Sequence, residues 1–270
     1  MKARQLALLL VGTLALGACS SLNPFSSSGA KLAALKPLNN PLKTTEVWRS
    51  RVGDAGLFVF QPAASGDAVF AAGRDGNVLR LEAGRTVWKT SVDTTLSGGV
   101  GTDGKLVLVG SPKGEVIALD AVSGKVKWRV RVNAEILAAP AVSDNIVVVR
   151  SADSRLFGLN PADGKQRWVY QRAAPSLSLR NAAGVLLEDK AIFAGFPGGK
   201  LTAINPANGG LMWEGTVAVP RGSTELERVA DITSLPAIGT RATCAVAYQG
   251  RVACFDLANG STLWTRDLSS

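Results

Sequence analysis

Histidine is absent from the 270-residue sequence. Histidine is the usual general base and the commonest metal ligand, so its absence removes the familiar Ser/His/Asp and Cys/His catalytic arrangements. The three cysteines contain no Cys-x-x-Cys pair, and no carboxylates cluster at the spacing of metal ligands. The sequence therefore predicts a protein that is not an enzyme, with no catalytic residue, no cofactor and no metal site.

The N-terminal apolar run is too short to cross a membrane. Lys2 and Arg4 precede the apolar residues 6–16, and Gly17-Ala18-Cys19 follows them. A run of this length forms about 16 Å of helix, whereas the hydrocarbon core of a bilayer is about 30 Å thick. A basic segment, a short apolar run and small residues at a cleavage site are the features of a signal peptide. Residues 1–18 are therefore predicted to be a signal peptide.

The residues around Cys19 resemble the bacterial lipobox, in which the cysteine becomes the lipid-bearing first residue of the mature protein. The motif is Leu16-Gly17-Ala18-Cys19, and Ser20 rather than Asp follows it. The resemblance implies lipidation of Cys19 and sorting to the periplasmic face of the outer membrane. Several acyl chains together anchor a protein stably. The alternative is an ordinary signal peptide with an incidental cysteine. Residues 19–43 are rich in Ser, Pro, Asn and Lys and are predicted to be a flexible tether.

The six tryptophans recur at a nearly fixed interval. Successive tryptophans are 40, 40, 40, 45 and 51 residues apart. Five of them end a phrase that begins with a short apolar strand and passes through a turn glycine four residues before the tryptophan. These glycine–tryptophan pairs are Gly84 and Trp88, Gly124 and Trp128, Gly164 and Trp168, Gly209 and Trp213, and Gly260 and Trp264. A fixed period near 40 residues indicates a repeat architecture.

One repeat has room for four short strands. Another apolar run precedes each phrase, at residues 68–72, 106–110, 146–150, 191–195 and 242–247. A weaker segment before that run leaves space for a further strand. Four antiparallel strands per 40 to 45 residues are typical of a β-propeller blade, and one buried tryptophan per repeat suits the contact between neighbouring blades. The fold class predicted is all-β, a β-propeller over residues 44–270.

The phrase Gly-x-Val-x-Ala-Leu-Asp-x-x-x-Gly-x-x-x-Trp resembles the repeat of quinoprotein dehydrogenases and their non-enzymatic relatives. The residues 114–128 carry it most closely. The dehydrogenases have a vicinal cysteine pair and calcium-binding carboxylates, and the sequence has neither. The alternative function, kept open at this point, is a periplasmic quinoprotein-like enzyme or a propeller that binds a small ligand.

Five repeats are present, whereas the resemblance implies eight blades. We therefore expect a chain truncated at its C-terminus, with roughly three more blades in the complete protein. Trp48 lies in residues 46–52, which resemble a tryptophan strand without the rest of its blade. We predict an orphan strand there, because propellers usually close when an N-terminal strand completes the last blade.

Cys244 and Cys254 are predicted to form a disulfide. Their segments are consecutive strands of the fifth repeat, joined by the turn Tyr248-Gln249-Gly250. With a three-residue turn, Ala247 faces Arg251 and, counting outward, Cys244 faces Cys254. Opposed residues in an antiparallel pair are close enough for a disulfide. The alternative is two inert buried thiols.

The positive charge of the chain does not predict nucleic-acid binding. The formal net charge is +9, and Lys125, Lys127, Arg129 and Arg131 alternate with apolar residues, so they line one face of a strand. Charges on an outer strand discourage aggregation between sheet edges. The alternative is a specific anionic ligand.

Two insertions interrupt the regular repeats. They fall after Trp168, at residues 175–181, and after Trp213, at residues 219–231. Both join the last strand of one blade to the first strand of the next, so we expect them on the same rim. Apolar anchors and an arginine beside charged residues suit a protein-binding surface. The alternative is that Leu177 and Leu179 begin the inner strand of blade four.

The insertions narrow the resemblance to the propeller lipoproteins of the outer-membrane β-barrel assembly machinery. The motifs are Ser-Leu-Ser-Leu-Arg and, one blade later, Ser-Thr-Glu-Leu-Glu-Arg-Val-Ala-Asp. In that family the leucine–leucine–arginine segment and the acidic loop contact the periplasmic POTRA domains of the barrel subunit BamA. The resemblance implies that Leu177, Leu179, Arg180 and Asp231 bind BamA. It also implies a scaffold that assists insertion of outer-membrane proteins and presents a surface to their unfolded precursors.

Overall fold

The computed structural model describes residues 42–248 and 250–268. The signal peptide, the lipidation site Cys19 and nearly all of the tether, three predictions from the sequence, lie outside the described residues. Within the described part of the chain no helix has the length and apolar character needed to span a membrane.

The described residues contain twenty strands in five antiparallel sheets, and each sheet holds four strands in chain order. Blade one comprises β1 (Ala63–Ser65), β2 (Ala68–Ala72), β3 (Asn77–Glu82) and β4 (Arg85–Ser91). Blade two comprises β5 (Gly98–Thr102), β6 (Leu106–Gly110), β7 (Glu115–Asp120) and β8 (Val126–Arg131). Blade three comprises β9 (Ala141–Val142), β10 (Val147–Arg150), β11 (Leu156–Leu159) and β12 (Gln166–Tyr170). Blade four comprises β13 (Leu186–Leu187), β14 (Ile192–Phe196), β15 (Lys200–Ile204) and β16 (Leu211–Thr216). Blade five comprises β17 (Ala237–Ile238), β18 (Ala242–Ala247), β19 (Arg251–Asp256) and β20 (Thr262–Asp267). The prediction of a β-propeller with four-stranded blades is confirmed.

The core lies between the blades. Its four apolar clusters each combine buried side chains from two consecutive blades. Phe70 of blade one meets Ile117 of blade two in one cluster, and Trp213 of blade four meets Phe255 of blade five in another. The middle strands are apolar on both sides because both of their faces are covered, and burying one such side chain contributes about 1.5–3 kcal/mol.

The tryptophans of blades one to four each pack on the turn glycine of the next blade. A Cβ atom added at Gly164 would lie 2.7 Å from Cε3 of Trp128, so this position requires glycine. The indole N–H of Trp128 donates a hydrogen bond to the Pro161 carbonyl at 2.8 Å, three residues before that glycine. The same pair of contacts recurs for Trp88, Trp168 and Trp213. The tryptophan period of the sequence is thus the period of the blade stack.

Trp48 makes a similar contact without belonging to a strand. The prediction of an orphan strand at residues 46–52 is wrong, because no strand is formed there and no described residue pairs with that backbone. A Cβ atom added at Gly84 would nevertheless lie 2.9 Å from Cβ of Trp48. Trp48 therefore covers the turn glycine of blade one, as the tryptophans of blades one to four cover the turn glycine of the blade that follows.

Cys244 and Cys254 are joined by a disulfide across β18 and β19. Ala247 stands opposite Arg251 and Cys244 stands opposite Cys254, which is the register that the turn length predicts. The side chain of Cys254 is buried.

Candidate partner-binding surface

The connections between blades leave from one end of the sheets. In three blades the first residue of the connection donates its N–H to the carbonyl of the glycine in the turn between the second and third strands. The pairs are Val92 and Gly76, Val132 and Gly114, and Val217 and Gly199. The connections 92–97 and 132–140 are short, whereas 171–185 and 217–236 are long. Both insertions therefore lie at this end, and we call residues 175–181 and 219–231 the loop surface.

A reciprocal pair of hydrogen bonds orders the second insertion. Thr224 and Glu227 have the spacing of a capping box. The N–H groups of Ser223 and Thr224 donate to Oε2 of Glu227 at 2.7 and 3.0 Å, and the N–H of Glu227 donates to the Thr224 hydroxyl at 3.2 Å. The amides of Thr224 and Ser223 lower the pKa of Glu227 below its ordinary value, because they stabilise its charged form. The insertion thus forms an ordered turn, whose amides favour the ionised form of Glu227.

Asp231 joins the two insertions. Its carboxylate accepts the N–H of Leu179 at 2.6 Å and the N–H of Gly198 at 3.0 Å, and its backbone carbonyl accepts the N–H of Tyr248 at 2.8 Å. The predicted neighbourhood of the insertions on one rim is therefore confirmed.

The position of Asp231 differs from the one that the sequence suggested. The resemblance implied a direct contact between this acid and a partner, but the side chain is only 1% exposed. The physical reason is that two amides of irregular backbone need an acceptor, and a buried carboxylate supplies both. Asp231 can thus serve the loop surface by holding Leu179 in place.

The other three predicted residues reach the surface to different degrees. Leu177 is 42% exposed, whereas Leu179 is half-buried. Arg180 is exposed and pairs with Glu135 at 2.8 Å, a residue of the connection between blades two and three. The alternative in which Leu177 and Leu179 begin the inner strand of blade four is wrong, because that strand starts at Leu186. Leu226 of the second insertion adds a further apolar side chain, 72% exposed.

Arg150 lies beneath the loop surface, and no role was predicted for it from the sequence. It ends β10, is 5% exposed, and its guanidinium lies 5.4 Å from the centre of the Phe196 ring. Burial lowers the pKa of Arg150 to about 10, and the negative charge of Asp231 opposes that shift. No described residue accepts a hydrogen bond from Nη1 or Nη2.

The repeat itself contains a signal for Arg150. In the strand register, Arg150 of β10 stands opposite Leu156 of β11, at the end of the pair next to the turn that joins the two strands. The corresponding positions in the other blades are small or apolar: Ala72, Gly110, Gly195 and Val246. A charged residue at one copy of an otherwise apolar position is the exception that comparison of the repeats could have found.

A cavity beside the inner strands offers no titratable side chain among the described residues that line it. It has a volume of about 680 Å³ and is lined by the inner strands and the segments beside them, including Gln61, Thr102 and Ser234. Among the described residues, no group of three or more carboxylate or cysteine side chains is placed to hold a metal ion. The cavity therefore gives no support to the alternative of a quinoprotein-like enzyme.

Comparison with known proteins agrees with the resemblance. The family described as "Outer membrane protein assembly factor BamB" matches residues 74–270. BamB of Bordetella pertussis is 43% identical over 269 residues, which cover 98% of this chain and 69% of that protein. The crystal structure of BamB from Moraxella catarrhalis superposes with a TM-score of 0.73 at 30% identity, covering 78% of this chain and 64% of that one. The chain thus spans about two thirds of the length of these relatives.

The similarity of this chain to enzymes is limited to the fold. A quinohemoprotein alcohol dehydrogenase from Pseudomonas putida gives a TM-score of 0.60 at 16% identity, covering 81% of this chain and 42% of that one. The curated relatives of much higher identity carry the name of an assembly factor and not of an enzyme. That agrees with the prediction of a non-enzymatic protein.

Proposed function

Because the chain belongs to the BamB family of outer membrane protein assembly factors, we propose that it is a non-enzymatic scaffold for the assembly of outer-membrane β-barrels. The loop surface binds the periplasmic POTRA region of BamA, and the complex assists insertion of outer-membrane proteins. Lipidated Cys19 anchors the protein to the periplasmic face of the outer membrane, and unfolded precursors pass near the propeller.

The observation that carries the proposal is the convergence of the two insertions at one end of the blades. The carboxylate of Asp231 links the second insertion to the backbone of Leu179, at 2.6 Å, so apolar and charged groups from both insertions share one surface. Leu177 and Leu226 are exposed there without a covering element. Protein interfaces are built from apolar anchors and arginine within a polar rim.

Each predicted contact residue has its own part in this interface. Leu177 inserts into an apolar recess of the partner, and Leu179 supports it from its half-buried position. Arg180 is held by Glu135, and the pair is exposed enough for the guanidinium to exchange that carboxylate for an acidic group of BamA. Asp231 acts indirectly, through the position of Leu179.

The test is the triple variant Leu177→Ala/Leu179→Ala/Arg180→Ala in full-length protein. Truncation of an interface hot spot costs about 2 kcal/mol or more, so the affinity for the POTRA region should fall by at least about 30-fold for each hot spot removed. A pull-down or calorimetric titration with purified BamA periplasmic region measures it.

A matched control removes similar side chains at the opposite end of the sheets. Leu211 is 52% exposed at the start of β16, and Arg85 is exposed at the start of β4. The variant Leu211→Ala/Arg85→Ala should bind BamA with unchanged affinity. Undiminished binding by a folded triple variant would refute the assignment of the loop surface.

A further inference from the structure

We propose that Arg150 is a positioning residue of the loop surface, whose buried charge keeps the Asp231 carboxylate where it holds Leu179. This inference rests on the proposed function for its biological meaning, but its structural part stands alone. It predicts that a residue with no exposed partner-facing atoms controls the shape of the binding surface from below.

The geometry places four parts of the chain around this pair of charges. Arg150 belongs to blade three. Its guanidinium lies 5.4 Å from the centre of the ring of Phe196, which is the last residue of β14 in blade four. Asp231 comes from the connection between blades four and five. Its carboxylate binds the backbone of Leu179, which belongs to the connection between blades three and four, and the backbone of Gly198 in the turn after Phe196. The two charges thus tie both insertions to the blades beneath them.

The charge balance explains why the arginine is there. Asp231 is 1% exposed and, among the described residues, makes no salt bridge. A carboxylate removed from water is costly unless it is hydrogen-bonded and its charge is opposed. Two amides provide the hydrogen bonds, and Arg150 is the cation whose pKa responds to Asp231. At neutral pH the guanidinium is charged, since its pKa remains about 10.

Loss of either charge has a different consequence from loss of a surface contact. Without Arg150, Asp231 is a buried charge with no cation opposing it, and it gains by moving toward water. That movement breaks the bonds to Leu179 and Gly198 and releases the first insertion from the second. The blade stack, which is built from separate apolar clusters and tryptophan contacts, stays intact.

The decisive experiment is hydrogen exchange at the Leu179 and Gly198 amides in three variants. Arg150→Met keeps the apolar stem but removes the charge, and it should accelerate exchange at both amides at least tenfold. Arg150→Lys keeps the charge and should retain most of the protection. The Leu108 amide in blade two serves as the internal control and should be unchanged. Unchanged protection at Leu179 and Gly198 in folded Arg150→Met would overturn the proposal.

The third variant distinguishes charge balance from packing. Asp231→Asn combined with Arg150→Met removes both charges but leaves a single acceptor oxygen for the two amides. The amide that still bonds the Asn oxygen should therefore be better protected than in Arg150→Met alone, whereas the other amide loses its acceptor. A loss of protection at both amides equal to that in Arg150→Met alone would overturn the charge argument. If Arg150→Met does not fold, the double variant and Arg150→Lys decide the question by the same amides, because each leaves no unopposed charge.

Binding to the BamA periplasmic region separates this inference from the proposed function. Arg150→Met should weaken binding at least about tenfold, and Arg150→Lys should restore it. Faster exchange at Leu179 with unchanged BamA affinity in both Arg150→Met and the triple surface variant would refute the proposed function while the positioning role of Arg150 stands.

Discussion

Substitution of Gly209 by alanine adds a single carbon atom at the contact between two blades, so it tests how closely those blades pack. A Cβ atom at this position would lie 2.7 Å from both Cδ2 and Cε3 of Trp168, and the backbone has φ +71°. The indole cannot retreat freely, because its N–H is bonded to the Pro206 carbonyl at 2.9 Å. Gly209→Ala therefore forces either the turn or the tryptophan to move.

The magnitude follows from two separate costs. A non-glycine residue in the left-handed region costs about 1–2 kcal/mol, and overpacking of a filled site costs about 1–3 kcal/mol. Replacing glycine also lowers the conformational entropy of the unfolded chain, which stabilises the folded state by about 0.4–1 kcal/mol. The net decrease in the free energy of unfolding should be about 2–4 kcal/mol.

Gly198 provides a matched control within the same blade. Its φ is +75°, close to that of Gly209, but a Cβ atom added there meets nothing within 4 Å. Gly198→Ala should therefore cost only about 1 kcal/mol, the backbone part alone. The difference between the two variants isolates the contact with Trp168.

Urea unfolding followed by tryptophan fluorescence and by far-ultraviolet circular dichroism measures both variants. A second check is the double variant with Trp168→Leu, in which the added methyl group has no indole to displace, so the cost of Gly209→Ala should shrink. Equal destabilisation by Gly198→Ala and Gly209→Ala would refute the view that the turn glycine is required by the tryptophan of the preceding blade.

Two further predictions concern the fifth blade and the second insertion. Mass spectrometry of unreduced, alkylated protein should find Cys244 and Cys254 unmodified, and replacing both by alanine should lower the free energy of unfolding by about 2–3 kcal/mol, because the disulfide closes only a short loop; two alkylated cysteines would contradict it. Because the folded-state pKa of Glu227 is lowered, its bonds to the amides of Ser223 and Thr224 should persist at neutral pH and be lost only as the pH falls through that lowered pKa. A nuclear magnetic resonance titration of the two amide shifts should give a midpoint below the ordinary glutamate value, and a midpoint at or above it would contradict the capping arrangement.

The regular parts of this fold were predictable because they repeat. The tryptophan period identified every blade, and the predicted second strands agree with the structure to within about one residue, as at β14, which begins at Ile192. Side chains with a fixed period must meet fixed neighbours, so a repeat carries its tertiary contacts in the sequence. The same logic predicted the register that places Cys244 opposite Cys254.

The irregular parts were predicted less well for a physical reason. Residues 46–52 have the composition of a tryptophan strand, but a strand requires a partner backbone, which composition cannot supply. In the insertions no periodicity separates buried from exposed positions, so Asp231 was expected at the surface although it is buried. Arg150 was not predicted because it lies in a strand that is otherwise apolar, and only its small or apolar counterparts in the other blades mark it as an exception.

The two ends of each sheet have different structural roles. The glycine turns that receive the tryptophans lie at the end opposite the loop surface, and adjacent blades are coupled there by contacts that involve no residue of the insertions. In a protein whose stability is close to a sum of blade and nearest-neighbour terms, lengthening or rewriting the exposed part of a connection, such as residues 219–228, leaves that sum almost untouched. Partner recognition can therefore diverge rapidly among relatives while the glycine and tryptophan positions stay constrained, and a scaffold of this kind can acquire new partners without first becoming more stable.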